Sequence, residues 1–183
     1  MNRRQVIQTP RLSLVCGDVE MARAAAEGDH AAFALALDAH VPPEWPPEIM
    51  ADAQAPLVRL IDSGGSSMSG LAWYLVLREK KSLIGFVGFK GPPRDGRLDI
   101  GYAILDAHHG KGYAAEAVRA LTHWAFLDRR VQRIVAETLP HLTASIRVIE
   151  KCGYSLAAAS TIGHDGEACV VQYEMTRERL FGA

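Results

Sequence analysis

Three cysteines are all that the 183 residues contain, and Cys16, Cys152 and Cys169 lie far apart. An odd, scattered set builds neither a disulfide framework nor a zinc ligand set. An excess of one charge is equally lacking: 20 Lys and Arg stand against 21 Asp and Glu, a formal net charge of −1 with a pI near 6.7. That balance excludes a polybasic nucleic-acid scaffold and a polybasic membrane-surface binder. Long apolar runs are missing as well. Leu71–Leu77 is the longest, far short of the ~20 residues that a membrane-spanning helix needs. Arg3 and Arg4 are followed by Gln8, Thr9, Pro10 and Arg11 rather than by the apolar stretch of a signal peptide, so a cytoplasmic protein is expected. No period of about 20 to 50 residues repeats, which sets solenoids aside. His123, His141 and His164 show no ligand spacing, and no metal site is expected.

Hydrophobic residues make up 49% of the chain, enough for a proper core. At roughly 150 residues per domain the length fits a single domain over 1–183. The first third reads as a strand over Arg11–Val15 and a helix capped by Asp18 and Gly28. A second helix follows over His30–Ala39, and a third from Pro47 to about Asp62. Four prolines around Trp45 break regular structure between the last two, and Gly64, Gly65, Ser66, Ser67 and Gly70 form a loop. Then the period changes. Leu71–Arg78, Ser82–Lys90 and Arg97–Leu105 are strand-like runs whose connections are short enough to join only antiparallel neighbours. Ala114, Ala117, Val118, Leu121, Trp124 and Ala125 recur at helical spacing. A strand over Val131–Thr138, a helix over Thr143–Cys152 and strands over Tyr154–Ser160 and Ala168–Met175 complete the chain. The expected fold class is α+β, a mixed, mainly antiparallel sheet of about seven strands flanked by helices.

Chemistry concentrates in His108–Ala117, at the junction of the third meander strand and the amphipathic helix. Gly110 and Gly112 uncover successive N–H groups at the positive end of a helix dipole, and Lys111 adds a charge. Such a turn suits a phosphate or diphosphate; the plainer reading is a tight strand–helix turn with a solvated lysine. Tyr113 after Gly112 departs from the Gly-Lys-Ser/Thr of a nucleotidase loop. Gly110, Gly112 and Ala115 match a dinucleotide fingerprint with Glu137 on the next strand, but hairpin-linked strands precede it.

Taken with Asp99-Ile100-Gly101-Tyr102 before the turn and Thr143–Tyr154 after it, the segment Gly110–Ala117 resembles the GCN5-related N-acetyltransferase (GNAT) family. The branch it looks most like is the ribosomal-protein alanine N-terminal acetyltransferases. The resemblance implies an acetyl-CoA N-acyltransferase fold, with acetyl-CoA in a cleft where strands 97–105 and 131–138 splay apart. The diphosphate would rest on the N–H groups of His109, Gly110, Lys111, Gly112, Tyr113 and Ala114, and the pantetheine on the edge near Ile104 and Leu105. Gly101 is where a bulge is expected, freeing an N–H near Leu105 for the oxyanion. Two positions depart from the family pattern: Ala107 stands where Gln or Arg is usual, and Leu142 where an Asn meets the cofactor.

The resemblance also implies transfer to a primary amine, either a protein N-terminus or a small molecule, in a ternary complex. Ile149 replaces the tyrosine acid of many members, which leaves the Ser145 hydroxyl as proton donor, or as a group merely bonded within its helix. Asp99 and Glu137 are the base candidates, or else solvated carboxylates; His108 is a weaker one. Glu116 reads as a helix-capping carboxylate, Tyr113 and Trp124 as core or cleft wall, and Trp45 as acceptor-side wall or core. Homodimers are common in the family, and no nucleic acid or membrane partner is implied. The competing functions are a non-catalytic acetyl-CoA sensor and a dinucleotide-dependent oxidoreductase.

Overall fold

The computed structural model describes residues 4–47, 50, 71–161 and 169–182. Apart from Pro47 and Met50, the expected Pro47–Asp62 helix and the Gly/Ser loop lie outside these residues, as does His164. Eight strands form one sheet: β1 (Val6–Gln8), β2 (Leu12–Cys16), β3 (Ala72–Leu77), β4 (Ser82–Phe89), β5 (Arg97–Ile104), β6 (Arg133–Thr138), β7 (Ser155–Thr161) and β8 (Val170–Thr176). Their order is β1-β2-β3-β4-β5-β6-β8-β7, and β5–β6 is the one parallel pair among the described strands. Among the described residues, five α-helices flank it: α1 (Val19–Glu27), α2 (His30–Leu37), α3 (Tyr113–Ala125), α4 (Thr143–Lys151) and α5 (Arg177–Phe181). This is the expected α+β class, with one strand more than counted from sequence. A dinucleotide-binding sheet of parallel strands with helical crossovers is excluded.

The differences have local causes. β1 has three residues and α5 five, too few for a hydrophobic period to show. α1 is capped as expected, with the Asp18 carboxylate accepting from Met21 N–H at 2.9 Å. α2 ends at Leu37 rather than Ala39 because Asp38 turns left-handed (φ 55°).

Strand alternation sorts the core between the two faces of the sheet. On one face Trp73, Leu75, Ile84, Val87, Leu98, Ile100, Ile134 and Ala136 pack against α3 and α4, with Trp73 edge-on to Trp124 at 5.0 Å. On the other face, Tyr74, Val76, Leu83 and Leu105 pack with Met21, Phe33 and Leu37 of α1 and α2. Trp45, only 3% exposed, lies in this second cluster, 6.2 Å from the Phe33 ring and 6.0 Å from that of Tyr74. It is core rather than an exposed wall. No helix of the described residues is long and apolar enough to cross a membrane.

One buried polar pair ties α3 to the start of β7: Thr122 Oγ1 and the Tyr154 hydroxyl are 2.7 Å apart. Leaving one partner unsatisfied costs more than removing both. Tyr154→Phe is therefore expected to destabilise by about 1–2 kcal/mol in urea unfolding, and Thr122→Val added to it should recover most of that loss.

Candidate active site

The parallel ladder between β5 and β6 runs through four residue pairs, from Arg97–Arg133 to Ile100–Ala136, and stops. Beyond it β5 stays on β4 as far as Ile104–Gly85, while β6 stays on β8, pairing Glu137 with Gln172 and Thr138 with Val171. Each strand keeps its outer neighbour and loses the inner one, so a fork opens between them. Which backbone groups face it follows from alternation. Asp99 carbonyl accepts from Lys90 N–H at 2.8 Å and Leu105 N–H donates to Ile84 carbonyl at 2.9 Å, so odd positions of this strand point at β4. Even positions, Tyr102 and Ile104, then present their backbone to the fork with no β6 partner.

Two expectations about this edge are corrected. β5 runs in register past Gly101 without a bulge. The extra residue is Ile84 on β4, between the pairs Leu75–Gly85 and Val76–Leu83, and its carbonyl takes up the Leu105 N–H. Leu105 accordingly has no free donor, and its side chain is core. The Ile104 carbonyl accepts from His109 Nε2 at 2.7 Å.

After a 3-10 turn over Asp106–His108 the chain enters the glycine bend. His109 N–H donates to Asp106 carbonyl at 3.0 Å, which removes it from the expected row of unpaired donors. The N–H groups of Gly110, Lys111 and Gly112 have no acceptor among the described residues, and those of Tyr113 and Ala114 fall in the first turn of α3, where no intrahelical partner exists. Gly110 and Gly112 adopt φ of 73° and 80°, the left-handed region that side chains disfavour. Lys111 Nζ folds back onto Ala107 carbonyl at 2.8 Å. His108 Nδ1 is buried without a partner, and burial first, then Lys111 and Lys80, hold its pKa below the usual histidine value.

The bend is latched from a distance. Glu116 accepts from Thr9 Oγ1 (2.7 Å), Arg11 N–H (2.9 Å) and Arg11 Nε (2.7 Å). Arg11 also donates through Nη1 to Lys111 carbonyl at 2.8 Å and lies 4.5 Å over the Tyr113 ring. Glu116 is thus a tether to the N-terminal hairpin, more than a cap of its own helix.

Ser145, in the first turn of α4, sits with its Oγ 3.0 Å from the Tyr102 hydroxyl, which is also 3.1 Å from Ser145 carbonyl. Burial pushes the Tyr102 phenol up to about 12 against the opposing hydrogen bond from Ser145, so it stays protonated at neutral pH. The sequence motifs assign Tyr102 no role, although alternation from Leu98 and Ile100 puts it on the α3–α4 face. Leu142 is 40% exposed just ahead of α4 and supplies no cap.

Asp99 and Glu137 lie on the opposite face and are not solvated: their side chains are 13% and 6% exposed. Arg97 joins them, with Nε 3.0 Å from Asp99 Oδ1 and Nη2 3.2 Å from Glu137 Oε1. Gln172 Nε2 donates to Glu137 Oε1 at 2.9 Å, and Lys90 Nζ is 3.6 Å from Oε2. Glu137 stands just past the end of the parallel ladder; Asp99 is opposite Val135, two residues back.

The latch has a pH signature. Burial alone would raise the Glu116 carboxyl, but donation from Thr9 and Arg11 outweighs it and the net pKa lies below the ordinary 4.5. A depressed carboxylate stabilises the fold above its unfolded pKa and loses that contribution as pH falls through the folded one. Glu116→Gln is therefore expected to lower stability at pH 7 and to flatten its decline below about pH 4.5, read by denaturant unfolding across pH.

Comparison with known proteins follows the same lines. The family model described as an acetyltransferase (GNAT) domain matches residues 21–155. The chain is 31% identical over 153 residues to the uncharacterized N-acetyltransferase YjdG of Bacillus subtilis (strain 168), covering 82% of this chain and 90% of that protein. The ribosomal-protein-S5-alanine acetyltransferase from Vibrio fischeri superposes with a TM-score of 0.63 at 18% identity, over 95% of this chain and 97% of that one. The microcin C7 self-immunity acetyltransferase MccE, solved with acetyl-CoA and AMP, superposes with a TM-score of 0.63 at 15% identity, over 92% and 93%. Those two likenesses concern fold; the family match and the likeness to YjdG go further, and on them this chain belongs to the GNAT family of acetyltransferases.

Proposed function

We propose that the protein moves an acetyl group from acetyl-CoA directly to a primary amine, of a protein N-terminus or a small molecule, with both substrates bound together in one domain. The fork supports this reading most strongly. It sets the unpaired backbone of Tyr102 and the N–H of Ile104, whose carbonyl His109 holds, beside the unpaired N–H row of Gly110–Ala114, one an edge for an amide-bearing arm and the other a seat for a diphosphate. The open space at Gly110, where a Cβ would meet nothing within 4 Å, suits close approach of a ligand. Acetyl-CoA supplies an activated thioester.

The residues of the chain would do the rest. The N–H row and the α3 dipole hold the diphosphate, with Lys111 free to swing from Ala107 carbonyl toward it. Tyr102 or Ile104 N–H faces the position of the carbonyl oxygen and stabilises the charge that develops there. Because the bend and α3 lie on one face of the sheet, the amine approaches from the other, where Glu137 and Asp99 stand. Glu137, nearer the fork, takes the proton of the incoming ammonium, directly or through water, and the Ser145 hydroxyl, backed by Tyr102, donates to the departing sulfur. Cys16 and Cys152 are buried, and burial pushes the Cys152 thiol up to about 11, which disfavours an acetyl-cysteine route through either.

Ser145→Ala is expected to lower kcat by about tenfold to a hundredfold with KM for acetyl-CoA within about twofold, measured by thiol release. Unaltered kcat would remove Ser145 from the chemistry. Gly112→Asp is expected to weaken CoA binding by at least about tenfold in titration calorimetry, and Gly112→Ala separates backbone strain from charge. CoA binding without thiol release for any amine would favour a sensor over an enzyme.

A further inference from the structure

The acceptor face carries a second feature outside the reaction centre. Between the end of β4, the β4–β5 connection and the start of β6 lies a pocket of about 240 Å³ walled by Lys90, Arg94, Arg97, Arg133, Asp95 and Asp99. Arg97 is engaged by Asp99 and Glu137, and Lys90 by Glu137. The guanidinium groups of Arg94 and Arg133 make no ion pair among the described residues. Counting Glu137 at its upper end, four cations stand against three carboxylates, an excess of one positive charge, with Glu174 bordering the same face opposite Val135; the Arg94 and Arg133 guanidinium forks are the donors left without an ion pair.

The pocket is in line with the fork on the same face of the sheet. Arg97, Asp99 and Gly101 alternate onto this face of β5, as do Arg133, Val135 and Glu137 on β6. At about 3.3 Å per strand residue, the Asp99–Val135 level is about 7 Å from Glu137 and the Arg97–Arg133 level about 13 Å. An amine presented to Glu137 would therefore have the pocket within reach of whatever its molecule carries that far from the nitrogen. Guanidinium forks recognise planar carboxylates and phosphates by paired donation.

We infer that this pocket is a specificity subsite that takes an anionic group, carboxylate or phosphate, placed about 7–13 Å from the acceptor amine. In an extended peptide at about 3.3–3.6 Å per residue, that is an acidic side chain at the third or fourth position from the N-terminus. In a small molecule it is a phosphate or carboxylate at the far end of a chain of matching length. The inference rests on the transferase reading, because that reading brings the amine to Glu137. On this inference a chain with near-zero net charge would select a charged acceptor through charge that is local, along one line of the sheet.

The test compares kcat/KM for the peptides Ala-Ala-Asp-Asp and Ala-Ala-Asn-Asn and for 6-aminohexyl phosphate and 6-aminohexanol, in the wild type and in the double variant Arg94→Gln/Arg133→Gln. The expected result is a preference of about tenfold for the anionic member of a pair, reduced to within about twofold of parity in the variant, with the neutral acceptors unchanged. The pair that shows the preference identifies the source of the anion, peptide or phosphate ester. Equal kcat/KM within both pairs in the wild type, or a preference that survives in the variant, would overturn the subsite while leaving the transferase standing. Calorimetric binding of the N-acetylated peptides reads the pocket without turnover. Tighter binding of the acidic product, lost in the variant, supports the subsite even if no acceptor is acetylated, which would sink the transferase alone; equal binding of the two products overturns it.

Discussion

The separation of β5 from β6 is the constraint from which the rest follows. A sheet interior satisfies its backbone by pairing on both sides, and these two strands each abandon one side halfway along. The unmet donors and acceptors are tolerable only at an edge open to a ligand or water, since burial without partners costs about 1–3 kcal/mol for each group. The groups of the proposed site are arranged around that opening: the glycine bend follows β5, α4 with Ser145 follows β6, and Glu137 stands at the point of parting. The strands are held apart because each outer partner is itself fixed, β4 by the meander and β8 by its hairpin with β7.

The bend needs a rigidity that its own residues do not supply. Two left-handed glycines and a lysine folded onto its own turn make a loop of high intrinsic entropy. Its order comes from residues about a hundred positions earlier, where Thr9 and Arg11 grip Glu116 and the Lys111 carbonyl. Charge-assisted bonds to a mostly buried carboxylate are among the stronger ones available, and three converge on Glu116. On the proposed reading, a ligand at the bend would then spend none of its binding energy on ordering the loop.

Much of this was legible in the order of residues, and the exceptions have physical reasons. The meander could be read because Glu79–Lys81 and Gly91–Gly96 are too short to cross a sheet, and α3 because its apolar positions keep a helical period. The Gly110–Ala114 row was legible from glycines beside a helix start. Glycine often marks a bulge, which points to Gly101, whereas the extra residue, Ile84, is an ordinary core aliphatic with no local mark. The loss of His109 N–H to Asp106 depends on a single 3-10 turn that propensity does not announce. The Arg11–Glu116 latch is a contact between distant segments and leaves no trace in either. The shielding of Asp99 was readable in part, since Arg97 two residues away shares its strand face; Gln172 and Lys90 beside Glu137 come from other strands and were not.

On the proposed reading, the diphosphate seat and the carboxylates occupy opposite sides of the same sheet, which makes the sheet a partition with a single slot. A bulky nucleotide tail and a large acceptor would then arrive and depart through separate doors without passing one another. Neither needs to wait for the other to vacate, so architecture alone dictates no order of arrival, and selectivity for the acceptor can drift by surface substitution on one side while the nucleotide side stays untouched.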